Sequence, residues 1–212
     1  MRRWIIALLM MCGVAQANAQ QHPGYKPVAD LAGFKQQFAT ASRQTQSIQC
    51  DFVQEKNLSM LADKITSKGR FWFKKENKVR MEYTTPSYYL LVMNGKDIKT
   101  KDGQKESHVS TKGNKLFEQI NKITVDCVQG NVVDNADFKT TILENAAGYL
   151  LEMTPVNKQL SQYFKTIVLL VDRKDLTVNK IEMYEAGGDN TTISFLHKQL
   201  NVNIPDATFA AK

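Results

Sequence analysis

Between residues 48 and 199, apolar side chains recur at every second position in short runs separated by turn residues. The plainest case is residues 69–83, GRFWFKKENKVRMEY. There Phe71, Phe73, Val79, Met81 and Tyr83 alternate with Arg70, Trp72, Lys74, Arg80 and Glu82. Successive side chains of a strand point to opposite faces. Two strands joined by a turn at Glu76-Asn77 therefore put the first set on one face and the charged set on the other. Further strands are predicted at 48–53, 88–93, 137–144, 149–154, 165–172, 177–185 and 190–199, with shorter polar strands over 97–111. Asn94-Gly95, Gly148, Pro155, Asp172-Arg173-Lys174-Asp175 and Gly187-Gly188 punctuate them. Many short strands at near-regular spacing imply one large antiparallel sheet. Such a sheet curls, because every strand twists in the same sense. Its concave apolar face then needs a cover or a ligand.

Two stretches break the alternation. Asp30 is an N-cap candidate for a helix with Leu31, Phe34, Phe38 and Ala41 at three- and four-residue spacing. Residues 114–127 put Leu116, Phe117, Ile120, Ile123, Thr124 and Cys127 on one helical face, with Asn114 as the cap. Two helices are too little to seal a long curled sheet. The expected fold is α+β, mostly β: an open antiparallel half-barrel whose concave hydrophobic face is plugged by amphipathic helices. Leu116, Phe117, Ile120 and Ile123 are the candidate lid, lying on the sheet when the trough is empty.

The first residues bear on compartment. Arg2-Arg3, the apolar run Trp4 to Met11 and the small-residue site Ala17-Asn18-Ala19 read as a secretory signal cleaved after Ala19. Residues 1–19 are thus assigned to the signal, 20–29 to a flexible leader and 30–212 to a single domain. The net charge of +7 falls to +5 once Arg2 and Arg3 leave. The lysines are dispersed rather than clustered, so a solvated surface is expected and no nucleic-acid footprint. Cys50 and Cys127 remain in the mature chain. In an oxidising compartment they form either one disulfide, worth roughly 4–5 kcal/mol on the chain-entropy model, or two separate buried thiols.

Nothing favours catalysis. His22, His108 and His197 have no neighbours at metal-ligand spacing. There is no nucleophile elbow and no phosphate-cradling loop. Asp172, Asp175 and Glu182 fall at strand ends and exposed alternates. The chain is expected to be a non-enzyme without metal or cofactor. A membrane-embedded barrel would need apolar alternation on every strand with aromatic girdles, and the polar run 97–111 does not supply it.

An ordered set of short motifs resembles the periplasmic outer-membrane lipoprotein carrier family, LolA. Phe52-x-Gln54 is followed by Gly69-x-x-Trp72-x-Lys74, Met81-x-Tyr83-x-x-Pro86 and Leu91-Val92-x-x-Gly95-Lys96. Then come Met153-Thr154-Pro155, Ile167-x-Leu169-x-Val171-Asp172, Gly188-Asp189-x-Thr191-x-Ile193-x-Phe195, and Ile204-Pro205-Asp206 running to Phe209. The resemblance implies a half-barrel that holds lipoprotein acyl chains and ferries them through the periplasm. Its implied partners are an inner-membrane lipoprotein-releasing ABC transporter and an outer-membrane acceptor, with the carrier a monomer. On this chain the acyl-binding face would comprise Ile48, Phe52, Phe71, Phe73, Val79, Met81, Tyr83 and Leu91. The family often places Arg-Pro before the second hairpin turn, the arginine bonding to the plug helices. Lys75-Glu76 stands there instead, which makes Lys75 the candidate latch, with one point charge and no planar fork. A Cys50–Cys127 bond would be a second way of tying plug to strand. The same fold also serves the lipoprotein receptor LolB and a periplasmic stress regulator, so a lipid- or lipoprotein-sensing regulator is the alternative function.

Overall fold

A computed structural model describes residues 22–61, 63–95, 97–103, 105–107, 123, 126–127, 130 and 132–210. The proposed signal peptide and the lid positions Leu116, Phe117 and Ile120 lie outside the described residues. Among the described residues, twelve strands form one antiparallel sheet. They are β1 (Lys26–Pro27), β2 (Ser47–Asn57), β3 (Ile65–Lys74), β4 (Lys78–Thr85), β5 (Tyr89–Asn94), β6 (Asp97–Asp102) and β7 (Lys105–Ser107), then β8 (Phe138–Glu144), β9 (Gly148–Pro155), β10 (Phe164–Asp172), β11 (Val178–Glu185) and β12 (Asn190–Leu200). Their spatial order is β1-β8-β9-β10-β11-β12-β2-β3-β4-β5-β6-β7. The first and last strands of that order are not paired with each other, so the sheet is open. This is the half-barrel the alternation predicts.

Helix α1 (Leu31–Gln44) begins where the sequence places it. The Asp30 carboxylate accepts from the Gly33 amide at 2.8 Å, satisfying a donor that the first helical turn leaves free. Phe34 and Phe38 are its buried residues, and Leu31 is about half exposed. A short helix, α2 (Lys158–Ser161), and a 3-10 turn at Asp206–Phe209 follow later in the chain. Ile123, Asp126 and Cys127 are helical too, at the end of the stretch expected as the second helix.

Two findings depart from the sequence reading. Lys26 and Pro27, inside the expected flexible leader, pair with Glu144 and Leu143 and cover the edge of β8. Covering an edge removes a row of unpaired backbone groups. Strand β2 also runs on to Asn57, because Gln54, Glu55 and Lys56 continue its pairing with both neighbours.

The sheet buries apolar side chains on both faces, unequally. The main core lies on the concave face and draws on β2–β5 and β8–β12. On the convex face, Leu90 and Val92 are covered by Ile204 and Phe209 of the C-terminal segment. A second convex cluster joins Leu143, Leu150 and Val168 to Tyr25. This explains why Leu90, Leu91 and Val92 are buried in succession where a half-solvated strand would alternate. The C-terminal segment is fastened by Lys74, which donates to the Ile204 carbonyl at 2.9 Å and to Asp206 at 2.7 Å.

Candidate functional site

The concave face is built in rows fixed by register. Ile48 lies opposite Phe73, Phe73 opposite Val79 and Val79 opposite Met93. The next row runs Cys50, Phe71, Met81, Leu91, and the next Phe52, Gly69, Tyr83, Tyr89. All eight residues expected to form the acyl-binding face therefore come to one surface. Seven of them are buried, and Tyr83 packs against them half-buried. The opposite half of the trough is walled by Leu151, Met153, Ile167, Leu169, Ile181 and Met183.

Aromatic contacts order this surface. Phe52 meets Tyr83 edge-on with ring centroids 4.9 Å apart, and Phe71 lies 5.4 Å from Phe195. Such geometries suit the ring quadrupoles. Gly69 makes the first possible. A Cβ there would stand 2.0 Å from the Glu82 carbonyl oxygen and 2.7 Å from Cε1 of Phe52. The Phe52 ring occupies the volume that a side chain would need.

The cover is described in two parts. Phe34 and Phe38 descend from α1 into the main core, the Phe34 ring lying tilted at 43° against the Tyr149 ring with centroids 4.3 Å apart. Ile123, Cys127 and Val132 join the same cluster. Gly130, with φ +74°, passes so close to α1 that a Cβ would stand 1.9 Å from the Ser42 hydroxyl. This segment and α1 thus lie against each other above the sheet. Cys50 and Cys127 are free thiols, both buried. Burial pushes the Cys50 thiol up to about 12 and the Cys127 thiol up further. Of the two readings left open by the sequence, the structure has the separate thiols.

Lys75 sits where a latch is expected. Its backbone amide donates to the Gln46 carbonyl at 2.9 Å, and its ammonium donates to the Arg43 carbonyl in the last turn of α1. Beside it a cavity of about 340 Å³ opens between α1 and the β3–β4 turn, with Phe73, Ser42 and Gly130 among its walls. That volume is at the lower end of ligand-sized pockets. The turn itself needs left-handed backbone at Glu76 and Asn77, with φ of 71° and 58°.

Polar groups gather at the other end of the trough: Gln54, Tyr83 and Thr191 were known from the sequence only as motif or apolar-face residues, and Lys56 and Glu185 were not singled out. Tyr83 donates to Gln54 at 2.9 Å, and burial pushes its phenol up. Thr191 donates to Glu185 at 3.0 Å, and Lys56 pairs with that carboxylate at 3.3 Å. The signal was present: Gln54 and Lys56 continue the inward alternation of β2. Reading that strand as ending at Val53 hid it. Among the described residues no group of three His, Cys, Asp or Glu side chains is placed to hold a metal ion, and no helix is long and apolar enough to cross a membrane.

Comparison with known proteins places this geometry. The family described as outer membrane lipoprotein carrier protein LolA matches residues 43–212. No curated protein matches the chain in sequence. Among solved structures, MucB aligns with a TM-score of 0.52 at 16% identity, over 87% of this chain and 64% of that one. The MucA/MucB complex of Pseudomonas aeruginosa gives 0.50 at 15%, over 85% and 60%. An uncharacterized conserved protein from Thermus thermophilus gives 0.50 at 9%, over 85% and 93%. At these identities the likeness is one of fold, and the chain spans about three-fifths of the MucB structures.

Proposed function

The chain belongs to the LolA outer membrane lipoprotein carrier family, and from that membership we propose that it carries lipoprotein acyl chains on its concave face across the periplasm. Loading would come from an inner-membrane lipoprotein-releasing ABC transporter and unloading to an outer-membrane acceptor. The observation that carries this reading is the asymmetry of the core. One wall is a continuous curled sheet of Ile, Leu, Met, Val and Phe. The described cover is a single amphipathic helix with two buried phenylalanines, together with the short segment holding Ile123, Cys127 and Val132.

Each buried methylene contributes about 0.8 kcal/mol. A chain of roughly fifteen carbons, fully enclosed, would be held by about 12 kcal/mol and would be slow to leave. Exchange solves this. Acyl chains take the place of Phe34 and Phe38 on the sheet, so the burial of cargo is offset by the re-exposure of the helix face. Met81, Met93, Met153 and Met183 suit such a surface, because unbranched thioethers repack around chains of different shape. The face formed by Leu116, Phe117, Ile120 and Ile123 is proposed as the second part of the displaceable cover.

The test is binding and transfer. A fluorescent fatty acid should bind the purified protein, and a diacylated lipopeptide should compete with it. Phe117→Ser should change that affinity. Absence of competition by the lipopeptide would overturn the carrier reading. Binding without transfer to any acceptor would favour lipid sensing over carriage.

A further inference from the structure

Eight large apolar side chains stand exposed among the described residues, and six of them lie toward one end of the half-barrel: Met60, Leu61, Ile65, Tyr88, Val156 and Tyr184. This is the end where β2 finishes and β3 begins, opposite the Lys75 turn. Met60 is 94% exposed and Leu61 56%. Both the amide and the hydroxyl of Ser59 donate to the Asp189 carboxylate, at 2.8 and 3.0 Å, and the Leu61 amide closes a turn on the Leu58 carbonyl at 2.9 Å. The fold holds two bare apolar tips out in water.

The charges on the same rim identify what covers them. Lys56 and Lys64 are paired with Glu185 and Glu55. Lys68, Lys139, Lys158 and Lys165 are exposed at this end, and none forms an ion pair with a described residue. Among the described residues, Asp63 in the loop and Asp102, which pairs across from Tyr89, are the exposed carboxylates facing them at this end, so the four lysines outnumber them. A protein interface needs a contiguous, close-packed apolar centre. Exposed apolar tips on a rim that also carries unpaired lysines, spread from β3 to β8, suit a fluid, anionic surface, where apolar insertion and attraction to headgroups act together.

We propose that this end of the half-barrel docks on an anionic lipid bilayer, with Met60 and Leu61 entering the interface and the four lysines against the headgroups. The Lys75 end, where α1 is fastened, then faces away from the membrane. The inference does not depend on what the concave face binds.

The test is co-sedimentation of the mature protein with vesicles of phosphatidylcholine alone and of phosphatidylcholine with about one-third phosphatidylglycerol. Binding is expected to the anionic vesicles, weakening as salt is raised. The double substitution Met60→Ser/Leu61→Ser should weaken it by about ten-fold or more, and Lys68→Glu/Lys158→Glu should weaken it and flatten its salt dependence. Fatty-acid binding in solution, measured in parallel, should be unchanged in both variants. No sedimentation with anionic vesicles, or sedimentation indifferent to both variants, overturns the proposal. So does a wild-type dimer that the Met60/Leu61 substitutions dissociate, since the tips would then meet a second copy.

Discussion

The Lys75 ammonium donates to the backbone carbonyl of Arg43, joining the β3–β4 turn to the C-terminal turn of α1. A helix leaves its last four carbonyls without internal partners, and a cation there also faces the negative end of the helix dipole. The contact therefore needs only one well-placed donor. Lysine supplies it without a guanidinium fork.

Removing that donor should loosen the cover rather than the sheet. Lys75→Met is expected to lower stability by no more than about 1 kcal/mol and to raise the association rate of a fluorescent fatty acid. Lys75→Arg should restore the wild-type rate. Equal rates in all three proteins, read by stopped-flow fluorescence, would show that the contact does not restrain α1.

Phe34 and Phe38 should separate stability from binding. Phe38→Ala removes a ring from the cover and is expected to cost about 3–5 kcal/mol in urea unfolding. Fatty-acid affinity should hold or rise, because the sheet face that Phe38 occupied is freed. Phe71→Ala on the sheet side should lose stability and affinity together.

Gly69 is required by its neighbours. In Gly69→Ala the new methyl would meet the Glu82 carbonyl and the Phe52 ring, neither of which moves without disturbing a strand. A loss of about 2 kcal/mol or more is expected, visible as a lowered thermal midpoint. The same substitution at Gly187, where a Cβ meets nothing, should be nearly neutral.

The thiols make a pH prediction. Burial raises Cys50 from 9.0 to about 12 and raises Cys127 as well. The folded state thus holds these protons more tightly than the unfolded chain. Their contribution is complete below pH 9 and is lost as pH rises toward 12. Native protein should react slowly with a thiol reagent at pH 8, and unfolded protein should titrate two thiols without reductant. Finding none would establish a disulfide.

Much of this fold was legible because alternation is a direct consequence of one sheet face being dry. Phe71, Phe73, Val79, Met81 and Tyr83 could be assigned to one surface from spacing alone, and Asp30 marked the start of α1. Register was not legible. That Phe52 faces Gly69, and Lys56 meets Glu185, depends on pairing between distant strands. The burial of Leu90 and Val92 was not legible either, since it comes from Ile204 and Phe209, more than a hundred residues away. The β1 strand was hidden because Lys26-Pro27 has no strand pattern of its own and gains its structure from the β8 edge. The exposed tips Met60 and Leu61 fall between the strands predicted at 48–53 and 69–83, and only the structure shows their loop tied through Ser59 to Asp189.

The central claim is that hydrocarbon tails lie on the concave face beneath α1. It is tested most directly by placing a photo-crosslinking residue at Met81, on that face, and at Val92, on the convex face one strand-step away. Each protein is then irradiated with a diacylated lipopeptide. The account predicts a crosslink to the lipid from position 81, competed by free fatty acid, and none from position 92. Crosslinking from 92 alone, or from neither position while the lipopeptide remains bound, would contradict it.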